Sequence, residues 1–393
     1  MDGAMTNITI LGIGGAGCRI IGQLAQWEAA SAIKLLALDT DEKALRATML
    51  NGEQMILAGR QWRAGRGCGG DDIAGQRAVA AERGKLEKIL ADTQLLIIVG
   101  GLGGGTCTGG LPVVLGVTGK LRIQTMLLLS LPFSMEGYRR KQLADARVIS
   151  DLLPVADALI TLPNDLLFST LPADTPLAEA CELADREIAR TALALSSILT
   201  AGNLFSADMA SFSTVLKRRA AVCAIGVGVV KAPDISPARA MEKLLSSPLL
   251  GGTEVFRRAD AAVLTVLGGK ELSLADARAS LELLSNQLDK SPERTVLLGA
   301  GTSDDWQGMM QLTALVIRYL DEPGNKNSAA GNEHDSAKSK RKLRKNQELM
   351  QGELPLGFEN KGIMENTTPV FFDDEDLDIP AFRRRGIIID CGD

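Results

Sequence analysis

Between Val99 and Pro112 the chain reads Val-Gly-Gly-Leu-Gly-Gly-Gly-Thr-Cys-Thr-Gly-Gly-Leu-Pro, directly after the apolar run Leu95-Leu96-Ile97-Ile98-Val99. A buried strand that feeds so many glycines brings bare backbone N–H groups against an anion, and Thr106 and Thr108 add hydroxyl donors. No lysine follows where a Gly-Lys-Ser/Thr ending would place one, so the pattern is not a Walker A loop. A phosphate is held here by backbone and helix dipole. A second run, Gly12-Ile13-Gly14-Gly15-Ala16-Gly17, follows the first apolar strand and opens a helix, with Asp39 about 20 residues beyond. Taken alone it also satisfies the dinucleotide fingerprint, so a nicotinamide-dependent dehydrogenase stays open. A third run, Gly65-Arg66-Gly67-Cys68-Gly69-Gly70-Asp71, is either a surface turn or a further phosphate contact.

The elements that must position these loops follow from the apolar pattern. Residues 7–15 read as a strand running into glycines, 18–30 as a helix, and Ile33 to Leu38 as a strand ending at Asp39-Thr40-Asp41. Strand, turn, helix, strand is the unit of a parallel sheet. Leu95–Val99, Thr125–Leu131 and Ala156–Leu162 read as further buried strands alternating with helical stretches, which predicts a doubly wound α/β domain. From Pro176 to Thr200 the spacing of Leu177, Cys181, Ala184, Ile188, Leu195 and Ile198 fits one long helix able to join two domains. Beyond it, Ala220–Val230, Ala261–Leu267 and Arg294–Ala300 supply strands of a smaller α/β domain, with helices over Ala238–Leu245 and Leu274–Leu288.

Composition narrows the function. The 393 residues are 46% hydrophobic and 23% charged, which predicts two core-bearing domains and a tail. A net charge of -5 argues against a general nucleic-acid binder. No apolar run reaches the roughly 18 to 20 residues of a membrane span, and the first residues lack the pattern of a signal peptide. A cytoplasmic protein is expected. The six cysteines include no Cys-x-x-Cys and the single histidine is His334, so no metal site is expected. Cys18, Cys68 and Cys107 all fall in the glycine loops, where small residues are needed, although a helix N-terminus would also stabilise a thiolate. From Pro323 to Pro369 Gly, Asn, Ser, Ala and Lys dominate, and this stretch cannot bury enough apolar surface to fold alone. As a flexible coil of about 47 residues it spans roughly 40 Å. Its basic block, Lys338-Ser339-Lys340-Arg341-Lys342-Leu343-Arg344-Lys345, reads as a solvated stretch, with weak contact to anionic lipid or an acidic partner as the alternative.

The loop at 99–112 resembles the signature loop of the tubulin/FtsZ family of GTP-binding polymer subunits, usually Gly-Gly-Gly-Thr-Gly-Thr-Gly, with Cys107 in place of the central glycine. The resemblance extends over essentially the whole chain, and it implies a GTP or GDP site with magnesium. It assigns GTP binding to Gly14, Gly15, Ala16, Gly17, Cys18, Arg19, Gly103, Gly104, Gly105, Thr106, Cys107 and Thr108, with Asp39 in the family's Asn-Thr-Asp-like turn. Gly67 and Gly69 fall in the loop that senses the γ-phosphate. Pro132-Phe133-Ser134-Met135-Glu136-Gly137-Tyr138-Arg139-Arg140 resembles a segment whose glutamate, Glu136, accepts from ribose hydroxyls and whose Arg140 faces sugar and base. At i and i+4 the same two residues also suit a plain surface ion pair. Asp185 matches the aspartate that accepts guanine N1–H and N2–H, and Cys181 stands where a phenylalanine usually stacks on the base.

Residues Gly202 to Leu216 resemble the family's catalytic loop, which reaches the γ-phosphate of the next subunit in a filament. Asp208 is kept, while Ser206 replaces an asparagine and Ser211 a second aspartate, which predicts slow, polymerisation-dependent GTP hydrolysis. The chain ends in Asp376-Leu377-Asp378-Ile379-Pro380-Ala381-Phe382, similar to the family's tail peptide that binds membrane tethers of the FtsA or ZipA kind. By that likeness Asp378, Ile379, Pro380, Ala381 and Phe382 dock on a partner, and the membrane is reached only indirectly. The resemblance implies a GTP-binding domain over 1–175, a central helix over 176–202, and an activation domain over 203–322. A disordered linker over 323–370 and a tether-binding peptide over 371–393 complete it. Head-to-tail self-assembly at the division site, on the inner face of the membrane, is the function implied. A non-catalytic homologue that co-assembles with a second member would also account for Ser206, Ser211 and Cys181 together. The dehydrogenase reading leaves the second and third glycine loops without a role.

Overall fold

The computed structural model describes residues 7–31, 33–165, 171–172, 174–200, 203–205, 209–216, 221–288, 294–302, 306–319, 371–372 and 375–376. Runs rich in Ile, Leu and Val form strands buried on both faces, as a parallel sheet requires. They are β1 (Ile8–Ile13), β2 (Lys34–Asp39), β3 (Met55–Leu57), β4 (Leu95–Gly101), β5 (Gln124–Leu131) and β6 (Ala158–Pro163). All pair in parallel, in the order β3-β2-β1-β4-β5-β6. The order reverses between β1 and β4, and a ligand crevice forms outside the carboxyl ends of the strands at such a switch point. Both main glycine loops leave the sheet there.

Two helices flank the switch point. α1 (Gly14–Leu24) buries Gly17, Cys18, Ile20, Ile21 and Leu24, one face at helical spacing. α2 (Asp72–Ala81) lies against α3 (Gly105–Leu121) at backbone contact. A Cβ on Gly75 would sit 2.1 Å from the Gly105 carbonyl oxygen, and one on Gly109 1.9 Å from that of Asp72. Those glycines are therefore steric requirements of the helix pair that aims the N-terminus of α3. α4 (Tyr138–Arg147) follows β5.

α5 (Leu177–Thr200) matches the expected long helix. Ala180, Ala184, Ile188, Ala192 and Leu195 are buried, while Glu182, Arg186, Glu187 and Arg190 form ion pairs along its surface. Fully burying Ile188 and Leu195 contributes about 1.5–3 kcal/mol each.

Beyond α5 the sheet continues through β8 (Ala221–Lys231), joined to β6 at the single register pair Leu159↔Val222, to give eleven strands. β11 (Met309–Tyr319) runs antiparallel between β8 and β9 (Ala261–Gly268), then come β10 (Thr295–Thr302) and the antiparallel β7 (Asn203–Phe205). Side chains alternate between two cores with the period of a strand. Cys223, Ile225, Val263, Leu315 and Ile317 face the core shared with β1 and α5, whereas Ala224, Leu264, Leu312 and Val316 face α7 (Pro237–Leu245) and α8 (Leu274–Ser285). α6 (Met209–Leu216) buries Phe212, Val215 and Leu216 in the first of these.

β3, β7 and β11 are absent from the sequence expectation. β11 hides because Gln311 and Thr313 interrupt its apolar run. Both are buried, and the Gln311 amide donates to the Thr313 hydroxyl at 3.1 Å. The chain falls into two units, Met1–Gly331 and Asn332–Asp393. In the second, Phe371 and Phe372 pair antiparallel with Asp376 and Glu375. The expected linker over 323–370 and the peptide Asp378–Phe382 lie outside the described residues, so these expectations stand as sequence readings. Among the described residues no helix is long and apolar enough to cross a membrane.

Candidate nucleotide-binding site

The phosphate end is built by the step from β4 into α3. Gly104 is the N-cap of α3, and the first turn carries no acidic side chain. Its N–H groups lack intrahelical partners and face a cavity of about 580 Å³ lined by Gly14, Gly15, Ala16, Gly104, Gly105, Thr106 and Cys107. A Cβ placed on Gly15 or Gly104 meets nothing within 4 Å, so both backbones stand open to a ligand. The two threonine hydroxyls have other work. Thr108 Oγ accepts from Gly103 N–H at 2.9 Å and braces the loop from behind, outside the cavity lining.

Thr106 instead faces Asp39. The Thr106 hydroxyl donates to Asp39 Oδ1 at 2.9 Å, and its oxygen lies 2.7 Å from the Thr40 hydroxyl, which therefore donates to it. Asp39 also accepts from Thr40 N–H at 2.7 Å and is 3% exposed. Burial pushes its carboxyl above the ordinary range, and the Thr106 and Thr40 hydrogen bonds pull it back down. Asp39 thus holds the signature loop against the turn after β2 rather than lining the cavity. The same turn holds the third glycine loop. Gly65 carbonyl accepts from Glu42 N–H at 3.0 Å, Gly67 N–H donates to the Thr40 carbonyl at 3.0 Å, and Asp41 bridges Arg66. Gly65, Gly67, Gly69 and Gly70 all have positive φ, between 59° and 85°, which explains why four glycines are needed there. Gly67 and Gly69 lie outside the cavity lining.

The opposite end carries the side chains expected at sugar and base. Glu136, Arg140, Cys181 and Asp185 line the same cavity. Glu136 Oε2 accepts from Arg140 at 2.9 Å while its Oε1 accepts from Phe133 N–H at 3.0 Å, so Glu136 forms the surface ion pair while also lining the cavity. Asp185 is buried on α5, and its Oδ2 accepts from Arg19 Nε at 2.6 Å. Burial raises the Asp185 carboxyl, and Arg19 opposes that shift. Burial likewise opposes the charge of Arg19, but the bond to Asp185 outweighs it and the guanidinium is held protonated.

Burial decides between the two readings of Cys18 and Cys107. A helix N-terminus favours a thiolate, yet burial pushes Cys107 up to about 12, and burial with Asp39 nearby pushes Cys18 higher still. Both are neutral packing groups, and Cys107 fills the space beside Gly14 and Gly100. Among the described residues no group of three or more His, Cys, Asp or Glu could hold a metal ion.

Residues 7–172 match the model of the tubulin/FtsZ family GTPase domain. "Cell division protein FtsZ 1" of Halobacterium salinarum is 30% identical over 318 residues, covering 81% of this chain and 77% of that one. The chain belongs to the tubulin/FtsZ family. Its structure superposes on an empty FtsZ dimer of M. jannaschii with a TM-score of 0.70 at 27% identity, over 84% of this chain and 95% of that one. It shares the fold of CetZ2 from Haloferax volcanii, a GTPγS-bound protofilament, with a TM-score of 0.63 at 18% identity, over 88% and 100%. Family membership sets aside the dehydrogenase alternative. The Asp39 carboxylate, which that alternative needs on a ribose, is buried against Thr106 and Thr40.

Within this tubulin/FtsZ site, sequence reading omits Ser130, near the carboxyl end of β5, and Asn164, just after β6, which line the cavity. Their signal is position alone, the carboxyl end of a parallel strand. Asp208 and Ser206 lie outside the described residues. Ser211 sits half-buried on α6 and does not line the cavity.

Proposed function

We propose that this chain is an FtsZ-like cell-division protein that binds GTP or GDP and polymerises head to tail. GTP is hydrolysed slowly at the interface between subunits. The observation that carries this reading is one cavity with an anion cradle at Gly104–Thr106 and a buried carboxylate, Asp185, at its other end. A nucleotide has that polarity, with phosphates at one end and, in guanine, two N–H donors at the other. The loops Gly14–Gly17 and Gly103–Cys107 hold the phosphates with Thr108 bracing the second from behind, Gly67 and Gly69 meet the terminal phosphate, Glu136 with Arg140 meets the ribose, and Arg19 stands with Asp185 at the base. Among the described residues no side-chain cluster would hold magnesium, which would come with the nucleotide and supply neutralisation of phosphate charge.

The division into a nucleotide domain over 1–175, a central helix over 176–202 and an activation domain over 203–322 follows the same reading. Asp208 and Ser211 act on nucleotide held by the next subunit. The serines at 206 and 211 lower turnover, because a hydroxyl cannot supply the charge of a carboxylate that polarises water. Residues Asp378–Phe382 bind a tether of the FtsA or ZipA kind, so the cytoplasmic filament reaches the division site on the inner face of the membrane. Calorimetric titration of the full chain tests the base assignment. GTP is expected to bind more tightly than ATP, and equal affinities would remove guanine from the reading.

A further inference from the structure

Arg147, the last residue of α4, forks between two carboxylates. Its Nη2 donates to Asp72 Oδ2 at 2.8 Å, and its Nη1 donates to Asp151 Oδ2. The side chains of Arg147, Asp72 and Asp151 are 23%, 21% and 29% exposed, so solvent screens these charges only in part. Asp72 opens α2 and Arg147 closes α4, so each charge sits at the helix end whose dipole favours it. Directly after Arg147 the chain makes a π-helical turn, Val148–Leu152, with Val148 and Leu152 buried. Such turns are rare and frequently mark functional positions.

The fork joins two walls of the nucleotide cavity. α4 starts just after Glu136 and carries Arg140, both of which line the cavity. Asp72 follows Asp71, the N-cap of α2, whose side chain accepts from Ala74 N–H at 2.9 Å and whose own N–H closes the third glycine loop on the Cys68 carbonyl at 3.1 Å. That loop lies against the first residue of α3. A Cβ on Gly105 would stand 2.8 Å from Cys68 Cβ and 2.7 Å from the Asp71 carbonyl oxygen. The start of the loop is held by backbone bonds to Thr40 and Glu42. At its exit, Arg147 is the one side chain that bonds Asp72 among the described residues.

We propose that Arg147 is a positioning residue that clamps the exit of the third glycine loop to the sugar-side helix and thereby sets the affinity for a nucleoside triphosphate relative to a diphosphate. The inference rests on the reading that Gly67 and Gly69 meet the terminal phosphate. A loop with four positive-φ glycines has much backbone freedom to lose when it closes on a ligand. With both ends fixed, part of that loss is met on folding, and less remains to be met on binding. A diphosphate does not reach the loop, so its affinity is indifferent to the clamp. Arginine suits the position because its rigid planar fork can hold carboxylates from two elements at once, whereas lysine offers a point charge on a flexible stem.

The test is calorimetric titration of the full chain with GDP and with GTPγS, at protein concentrations below the onset of light scattering, together with hydrogen exchange over residues 65–72 without nucleotide. Arg147→Gln and Asp72→Asn are each expected to weaken GTPγS about tenfold, equivalent to fixing roughly one more backbone residue on binding, and to leave GDP unchanged. Exchange over residues 65–72 should quicken in both. The double variant should lose no more than the weaker-binding single variant, because both remove one contact. Asp72→Asn keeps the shape of the side chain and carries the test if Arg147→Gln fails to fold, which far-UV circular dichroism reads. An unchanged ratio of the two affinities, equal losses for both nucleotides or unaltered exchange overturns the clamp. Gly69→Val, which puts a β-branched residue at a φ of 59°, separates the underlying reading from the clamp. A ratio that shifts in Gly69→Val but not in the other variants overturns the clamp alone, and a ratio unmoved in all of them overturns the placement of the terminal phosphate as well.

Discussion

The Nε of Arg19 on α1 donates to Oδ2 of Asp185 on α5 across 2.6 Å, closing the base end of the cavity with an ion pair between two helices 166 residues apart in the chain. As an interaction it is modest, because a pair with one exposed partner typically contributes up to about 1 kcal/mol. Its larger effect is on charge. Burial favours a neutral Asp185, and Arg19 counteracts that, keeping an acceptor where the proposed guanine would carry donors.

Asp185→Asn converts one acceptor into a donor facing a guanine N–H without changing the shape of the side chain. GTP affinity should fall by about 1.5–3 kcal/mol, the range for hydrogen bonds to a charged group. Calorimetry reads this loss, and the melting temperature should move little, since a half-exposed ion pair is all that the fold gives up.

Cys181 makes two linked predictions on the same side chain. Cys181→Phe should tighten GTP binding by about 1–3 kcal/mol through base stacking. In the parent, Cys181 is half-buried and lines the cavity, whereas Cys18, Cys68, Cys107 and Cys223 are buried. Alkylation followed by peptide mapping should mark Cys181 ahead of those four, and saturating GTP should protect it.

Thr106→Val removes the hydroxyl that links Thr40 to Asp39 and keeps the shape. The buried carboxylate loses an opposing hydrogen bond and its pKa rises further, since that bond lowers it now. A loss of about 2 kcal/mol is expected, the cost of a buried polar group left unsatisfied. Urea denaturation measures it as a lowered midpoint.

Asp145 on α4 sets a pH dependence of stability. Burial pushes its carboxyl up to about 6, against the pull of Lys141. The folded state therefore binds this proton more tightly than the unfolded chain, whose carboxylate titrates near 4. Stability from this group is complete below about pH 4 and is lost as pH rises through about 6. Asp145 is only half-buried, so solvent screening limits the effect. Asp145→Asn should raise the melting temperature by about 2 °C near pH 7.5 and leave it unchanged near pH 4.

Much of this molecule is legible in the sequence because its information is local. Leu95–Val99 and the glycines after it specify a buried strand and a helix N-terminus within 20 residues, and Leu177–Thr200 shows its apolar face at helical spacing. What stays hidden depends on partners far along the chain. Asp39 reads as a ligand and turns out to be a buried brace, because Thr106, 67 residues later, donates to it. Cys107 reads as a small loop residue beside a helix N-terminus that would favour a thiolate, and only the packing around it makes burial outweigh the helix dipole. The Arg19–Asp185 pair has no sequence signal at all. The glycines at 75 and 109 show no pattern until the two helices are seen in backbone contact.

Phosphate release from GTP by the full chain alone, followed over a range of protein concentrations with light scattering in parallel, tests the central claim most directly. Release per subunit should stay near zero below a threshold concentration and rise steeply above it together with the scattering. Asp208→Ala should bind GTP and lose nearly all release. Release that grows in proportion to protein from the lowest concentration with no scattering, or parent-like release from Asp208→Ala, would contradict hydrolysis at a subunit interface.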